Sequence, residues 1–408
     1  MKNTRLVIIF FLTALILPAS LWAYDFGLAA NIYTGYGNDK KGKDAFEFRG
    51  DIWPRFSLLI GDNAEFFTSL GLSITAGYNE DTLFIPELLR TEFTMRFGNM
   101  GIRAGRMNYS DPLSFIAAGL FDGVQFYYNS GIGRFSAGLW YTGLLYKGSA
   151  NITMTENDQN NYNSPLEYDD FLNTYFAPKR MAAAIDWSHP SLVDFLQLNA
   201  AVICQFDFND DAVKYNSQYL TVKAGIPLNS FMLEAGGAVE ISQTESEGDN
   251  RLNAAFAGDF GVSWTPPMSI RSRLSFDGKI AGGRINDSIG EFIPITTKYY
   301  GSILKHKMSG LSVFGLNYSA RLNQEIGTSA SVSYFIRNDL GTFSGYPLKQ
   351  ENENYFLGAE IFARVIWSPL SDMQFNFGGG AFFPSLGDAG RDEIIRWRVE
   401  LTATLSLL

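Results

Sequence analysis

Arginine is the residue whose placement most suggests chemistry. Arg90, Arg96, Arg103, Arg134, Arg180, Arg271, Arg273, Arg321, Arg337, Arg364, Arg396 and Arg398 each occupy the polar phase of a segment in which polar and apolar residues alternate. Carboxylates such as Glu47, Glu65, Glu92, Asp259, Glu360 and Glu400 share that phase. A wall of guanidinium groups can do two things. It can concentrate anions in a low-dielectric passage and lower the barrier to their entry. It can also pair with the neighbouring carboxylates and merely hold a wall in shape. Both readings stand at this level. Hydrolytic or redox chemistry has little to work with. The two histidines, His189 and His306, fall in separate connections, and neither can complete a relay with a serine or aspartate on the wall. No metal-ligand cluster or phosphate-cradling glycine loop is present, so no catalytic residue, metal or cofactor is expected.

The elements that would carry these arginines are strands. Over residues 395–407, Trp397, Val399, Leu401, Ala403, Leu405 and Leu407 alternate with Arg396, Arg398, Glu400, Thr402, Thr404 and Ser406. Period-two alternation gives a strand one oily face and one wet face, whereas a helix would scatter the same residues around its circumference. The stretch also exceeds the ~9–11 tilted residues that cross a bilayer as a strand. The same pattern recurs from Tyr24 onwards, and about 18 such strands are expected, an even number as a membrane barrel of this kind requires. Short connections at 61–64, 98–101, 129–133, 188–194, 227–230, 265–269, 323–327 and 368–372 alternate with long polar ones, among them 108–121, 147–177, 281–310 and 338–352. Tight turns at one rim and long loops at the other produce this rhythm, and a soluble sandwich has no reason to. Trp187, Trp264 and Trp367 each end a strand at a short turn, where an amphipathic ring suits the headgroup level. They predict an aromatic girdle at the periplasmic rim.

Composition agrees. A mean hydropathy of −0.03 is too polar for a helical membrane protein, and past the N-terminus no run approaches the ~20 apolar residues of a spanning helix. Residues 1–23 differ: Lys2 and Arg5 precede an apolar core and a small-residue cleavage region, which reads as a secretory signal peptide followed by a barrel domain over 24–408. The formal charge of −10 argues against a nucleic-acid partner. With Cys204 the single cysteine, an exported chain has no internal disulfide and must be held by a continuous hydrogen-bonded architecture.

At this point the chain resembles a Gram-negative-type outer-membrane β-barrel porin over essentially its whole mature length. Arg103-Ala104-Gly105-Arg106 followed by Phe121-Asp122-Gly123-Val124 is similar to a pattern of the alginate-export-like porins, and the strand count looks like those and the substrate-specific porins. Such barrels usually end in Phe, and this chain ends Leu407-Leu408. The resemblance implies an all-β, transmembrane, up-and-down antiparallel barrel in the cell outer membrane. Its partners would be outer-membrane lipid, the barrel-assembly machinery and small hydrophilic solutes, with oligomers left open. The third long connection is too apolar for a solvated loop, with Leu113, Phe115, Ile116 and Leu120 in succession. The third loop of porins often bends inward, so a constriction formed by Asp111, Leu113, Phe115, Ile116, Leu120 and Asp122 is expected. The resulting function is a diffusion channel for small hydrophilic solutes, with anions open to it, through an Arg-rich lumen narrowed by the inward third loop. The alternative is a non-conducting surface barrel, an adhesin or structural outer-membrane protein, and steady ion current separates the two.

Overall fold

The structure, a computed structural model, describes residues 22–38, 42–77, 82–193, 195–246, 249–268, 270–285, 289–340, 348, 354–390 and 394–407. Most of the expected signal peptide lies outside these residues, and Trp22 and Ala23 already belong to the first strand. The strands follow in chain order: β1 (Trp22–Asn38), β2 (Asp44–Ile60), β3 (Ala64–Gly77), β4 (Leu83–Phe97), β5 (Met100–Ser110), β6 (Ala118–Ser130), β7 (Gly133–Tyr141), β8 (Arg180–Leu192), β9 (Leu196–Asp207), β10 (Lys214–Leu228), β11 (Phe231–Ser246), β12 (Asp249–Trp264) and β13 (Arg271–Ala281). A two-residue hairpin, β14 (Tyr299–Tyr300) and β15 (His306–Lys307), sits within the next connection. β16 (Leu311–Arg321), β17 (Ile326–Arg337), β18 (Phe356–Leu370), β19 (Met373–Phe383) and β20 (Arg396–Leu407) complete the set. Each barrel strand pairs antiparallel with its sequence neighbours, and β1 pairs with β20 from Leu28↔Leu407 to Gly37↔Arg398, so the 18-stranded sheet is closed. The strand count and up-and-down order match the expectation from periodicity. Closure leaves no free sheet edge round most of the wall, as a strand structure in hydrocarbon requires.

Alternation decides the faces. On β11, Val239 and Ile241 expose about half of their surface, while Ala238 and Glu240, on the opposite phase, are buried. Exposed Phe, Leu, Ile and Val residues recur at the matching phase of the other strands and form an apolar belt around the outside. The inward phase does not enclose an empty tube. Three connections fold inside: residues 111–117; residues 142–179, with helices α1 (Lys147–Ala150), α2 (Glu156–Asn163) and α3 (Phe171–Tyr175); and residues 289–310. Their Phe115, Ile116, Ile152, Phe292, Ile295 and Met308 are buried together with wall residues such as Ile203, Tyr219 and Phe335. The hydrophobic core is therefore made by loops meeting the inner wall, not by the sheet alone. Helix α2 is nucleated by a capping box: the Thr155 hydroxyl accepts from Asp158 N at 3.1 Å, and the Asp158 carboxylate accepts from Thr155 N at 3.0 Å.

Candidate functional site

The interior has a charged half near the short turns and a waist of folded-in loops above it. In the lower half, Arg90, Arg96, Arg103 and Arg134 line one cavity of about 500 Å³ together with Glu65 and Glu92. Glu92 takes Arg90 at 2.7 Å and Arg103 at 3.0 Å, and Arg103 also donates to Gln125 at 3.1 Å. Arg134 stacks over the Tyr127 ring at 4.5 Å. Across the barrel Arg271, Arg273 and Arg321 line a second cavity of about 780 Å³. Arg271 and Arg321 are direct cross-strand partners, an arrangement that normally costs stability through like-charge repulsion. Arg321 donates to the carbonyls of Asn323 and Gln324, and among the described residues no carboxylate pairs with any of these three.

A further arginine group stands near the barrel seam. Arg398 binds Glu47 and the Tyr33 hydroxyl, and Arg364 binds Glu400 at 2.7 Å. These are lattice-forming pairs. Arg180, Arg337 and Arg396 are almost wholly buried, so they meet protein rather than solute. Arg180 lies between Asp158 at 2.5 Å and Asp207 at 3.1 Å, and Arg337 donates to Asn354 O at 2.8 Å. Burial pushes the Asp158 carboxyl up, against the pull of Arg180.

The waist begins with residues 111–117. Asp111 is 2 % exposed, and its carboxylate accepts four backbone N–H groups of its own loop, from Leu113, Ser114, Ile116 and Ala117, at 2.8–3.1 Å. Burial raises its pKa and those four donors oppose the shift. Asp111 thus folds the loop and presents no charge to solute. The folded loop crosses to the far wall: a Cβ placed on Gly236 of β11 would meet Leu113 at 2.5 Å, and Lys279 of β13 lies 5.7 Å over the Phe115 ring. Only glycine at 236 lets the loop seat so closely. Phe115 and Ile116 are fully buried, Leu120 packs against the same core from β6, and Asp122 is held in a two-pronged bond by Arg106 at 2.8 and 2.8 Å.

Residues 289–310 form the other half of the waist, and two wall carboxylates anchor them. Glu240 of β11 accepts from Ile293 N at 2.8 Å and Tyr215 Oη at 2.7 Å. Glu360 of β18 accepts the N–H groups of Ser302, Ile303 and Leu304 at 2.6, 3.0 and 2.9 Å. Thr296 links this loop to the first one, donating from its N–H to Ile116 O at 3.0 Å and accepting from Ala118 N at 2.8 Å. The loop brings two ammonium groups inward. Lys298 reaches Ser114 O at 3.4 Å, and its pKa is lowered by burial and then by Lys279. Lys305 is lowered by burial and then by the Arg398 guanidinium. Sequence reasoning missed this loop and its lysines. The apolar run Phe292, Ile293, Ile295 was the available signal, by the same criterion that singled out residues 113–120.

The three tryptophans share the outward phase at the short-turn rim. Trp264 stacks on Phe231 at 6.1 Å, Trp367 on Phe375 at 5.4 Å, and Trp187 donates to Ile132 O at 2.9 Å.

No family model and no curated protein matches the chain. Solved structures do. The chain is similar to the outer membrane protein OpdK of Pseudomonas aeruginosa, at 11% identity and a TM-score of 0.58, over 94% of this chain and 98% of that one. It is similar to P. aeruginosa OccK2 (OpdF) in complex with glucuronate, at 11% identity and a TM-score of 0.57, over 94% and 97%. It is also similar to P. aeruginosa OccK10 (OpdN), at 15% identity and a TM-score of 0.54, over 94% and 100%. At such identities the shared property is the fold, and this chain has the 18-stranded barrel fold of Gram-negative outer-membrane porins.

Proposed function

We propose that the chain is an outer-membrane diffusion channel for small hydrophilic solutes and that it favours anions. The observation that carries the reading is the group Arg271, Arg273 and Arg321, three guanidinium groups beside one cavity of about 780 Å³, in whose lining Glu325 is the one carboxylate among the described residues and pairs with none of them. Three cations set against a single nearby carboxylate leave a net positive field, which lowers the energy of an anion that enters between them. Arg96 and Arg134 on the other side, and Lys298 and Lys305 at the waist, add to the same field. A carboxylate-bearing sugar of the kind seen in the OccK2 complex is a solute class that suits this lining. Residues 111–117 and 289–310 set the narrowest section, and the lower arginines receive what passes it.

The test is the reversal potential of the purified protein in a planar bilayer under a salt gradient. The wild type is expected to prefer the anion, and Arg271→Gln/Arg273→Gln/Arg321→Gln to move the potential towards zero. A cation-selective wild type, or a triple variant with an unmoved potential, rejects the assignment. One observation favours a second reading, a closed barrel serving as an adhesin or structural protein: three connections pack into one core inside the wall. Absence of steady current from well-folded protein would support that reading.

A further inference from the structure

β4 and β5 part company half-way along the wall. Their ladder runs from Phe97↔Met100 to Thr91↔Arg106 and stops. β4 nevertheless continues to Leu83 against β3, and β5 continues to Ser110 against β6. Residues 83–90 of β4 therefore border a slit on the order of 25 Å long at about 3.3 Å per residue.

An open strand edge inside a membrane wall must satisfy its polar groups. Here side chains satisfy them. The Tyr168 hydroxyl accepts from Phe84 N at 2.8 Å and donates to Phe84 O at 2.9 Å. The Tyr175 hydroxyl donates to Pro86 O at 2.6 Å, and Pro86 has no N–H to satisfy, which is why proline is tolerated at an edge. Arg106 donates to Leu88 O at 2.5 Å and to Leu144 O at 2.8 Å while gripping Asp122. Behind these caps the slit holds apolar and aromatic groups and one buried carboxylate, Glu87, which accepts from Ser149 Oγ at 2.8 Å. Ile85, Leu166 and Tyr175 are buried, and Tyr175 stacks on Phe171 at 4.5 Å. Beside it the surface stays apolar: Phe84, Tyr168 and Leu172 expose 46, 55 and 72 %.

We propose that this slit is a lateral port for single-chain amphiphiles of the surrounding lipid, with residues 166–176 as its door. Three features support it. Residues 166–176 are held to β4 by two tyrosine hydroxyls, and their backbone bridge, Tyr146↔Phe176, lies at the end of the segment, so they can leave β4 without unzipping a ladder. Phe84 and Leu88 belong both to the lip of the slit and to the outward belt, so the port is continuous with the lipid-facing surface. An apolar tail entering the slit replaces the contacts that Ile85 and Leu166 lose when the door moves, whereas water would leave them unpartnered.

Dodecanoate carrying a photoactivatable diazirine at its tail, added to the full chain in lipid nanodiscs, tests the port. After irradiation, adducts located by mass spectrometry are expected on Ile85, Leu166 and Tyr175, which the closed door buries. In Tyr168→Phe/Tyr175→Phe, labelling of Ile85 and Leu166 is expected to rise severalfold. Adducts confined to outward residues such as Phe84, Leu88 and Leu172 in the wild type would overturn the proposal even if the variant fails to fold. Photo-cross-links joining two copies of the chain through β4 would also overturn it, marking the slit as a subunit contact.

Discussion

Substituting Glu360 should loosen the waist. One carboxylate, 4 % exposed, accepts three consecutive backbone N–H groups of residues 302–304. Bonds of this charge-assisted kind contribute about 1.5–3 kcal/mol each, and neutral ones about 1. In Glu360→Gln a single carbonyl oxygen remains. It can hold Ile303 and Leu304, now as neutral bonds, while the new NH2 group faces the Ser302 donor. The loss is about 2 kcal/mol for Ser302 and about 1 for each of the other two, or about 4 kcal/mol in all. At 1.4 kcal/mol per factor of ten, the population with residues 300–307 detached rises on the order of a thousandfold. Limited trypsin digestion reads this directly, because Lys298, Lys305 and Lys307 flank the clamp. Cleavage there should be faster by two to three orders of magnitude in Glu360→Gln than in wild type, with the barrel core intact. Single-channel records should show a larger, noisier open level. Equal cleavage rates and an unchanged current would refute the idea that this carboxylate holds the loop.

Deleting residues 113–120 should remove the other half of the waist and raise single-channel conductance; an unchanged value would remove the loop from the narrowest section. Lys298 and Lys305 give a pH dependence with a definite sign. Their pKa values lie below the ordinary lysine value of about 10.4, so both are charged at lower pH and discharge early as pH rises. Anion preference measured by reversal potential should therefore fall with rising pH before ordinary lysines titrate, and Lys298→Gln/Lys305→Gln should flatten that phase. Arg180→Met leaves Asp158 and Asp207 buried without their cation, which should cost about 3–5 kcal/mol in detergent unfolding experiments. Lower pH should recover part of that loss, since protonation removes the uncompensated charge, and no recovery would contradict the pairing.

How much of this was legible in the sequence depends on which interactions are local. The alternation at residues 395–407 reappears as β20 to within a residue, because period two is imposed by lipid on one side and water on the other. The fate of an individual arginine was not legible. Arg180 and Arg273 carry the same signature, yet one is sealed under α2 and the other lines a cavity. That difference depends on Asp158, which reaches Arg180 only through the path of a long connection. The break between β4 and β5 was likewise invisible in Leu83–Phe97, since alternation reports which face a residue takes, not whether the neighbouring strand is paired. Pro86 was the one local hint.

The seam between the first and last strands has a consequence for biogenesis. Its latches join residues hundreds of positions apart: Asn38 Nδ2 donates to Ile395 O at 2.9 Å, Trp397 N donates back to Asn38 Oδ1 at 2.7 Å, and Arg398 clasps Tyr33 from within. Bringing such distant ends together costs about 5 kcal/mol of chain entropy, recovered only when the ladder zips. Until the final dozen residues emerge, the curled sheet carries two sticky margins able to recruit any passing strand. In such a chain the pairing of β20 with β1 is the step that removes both margins at once.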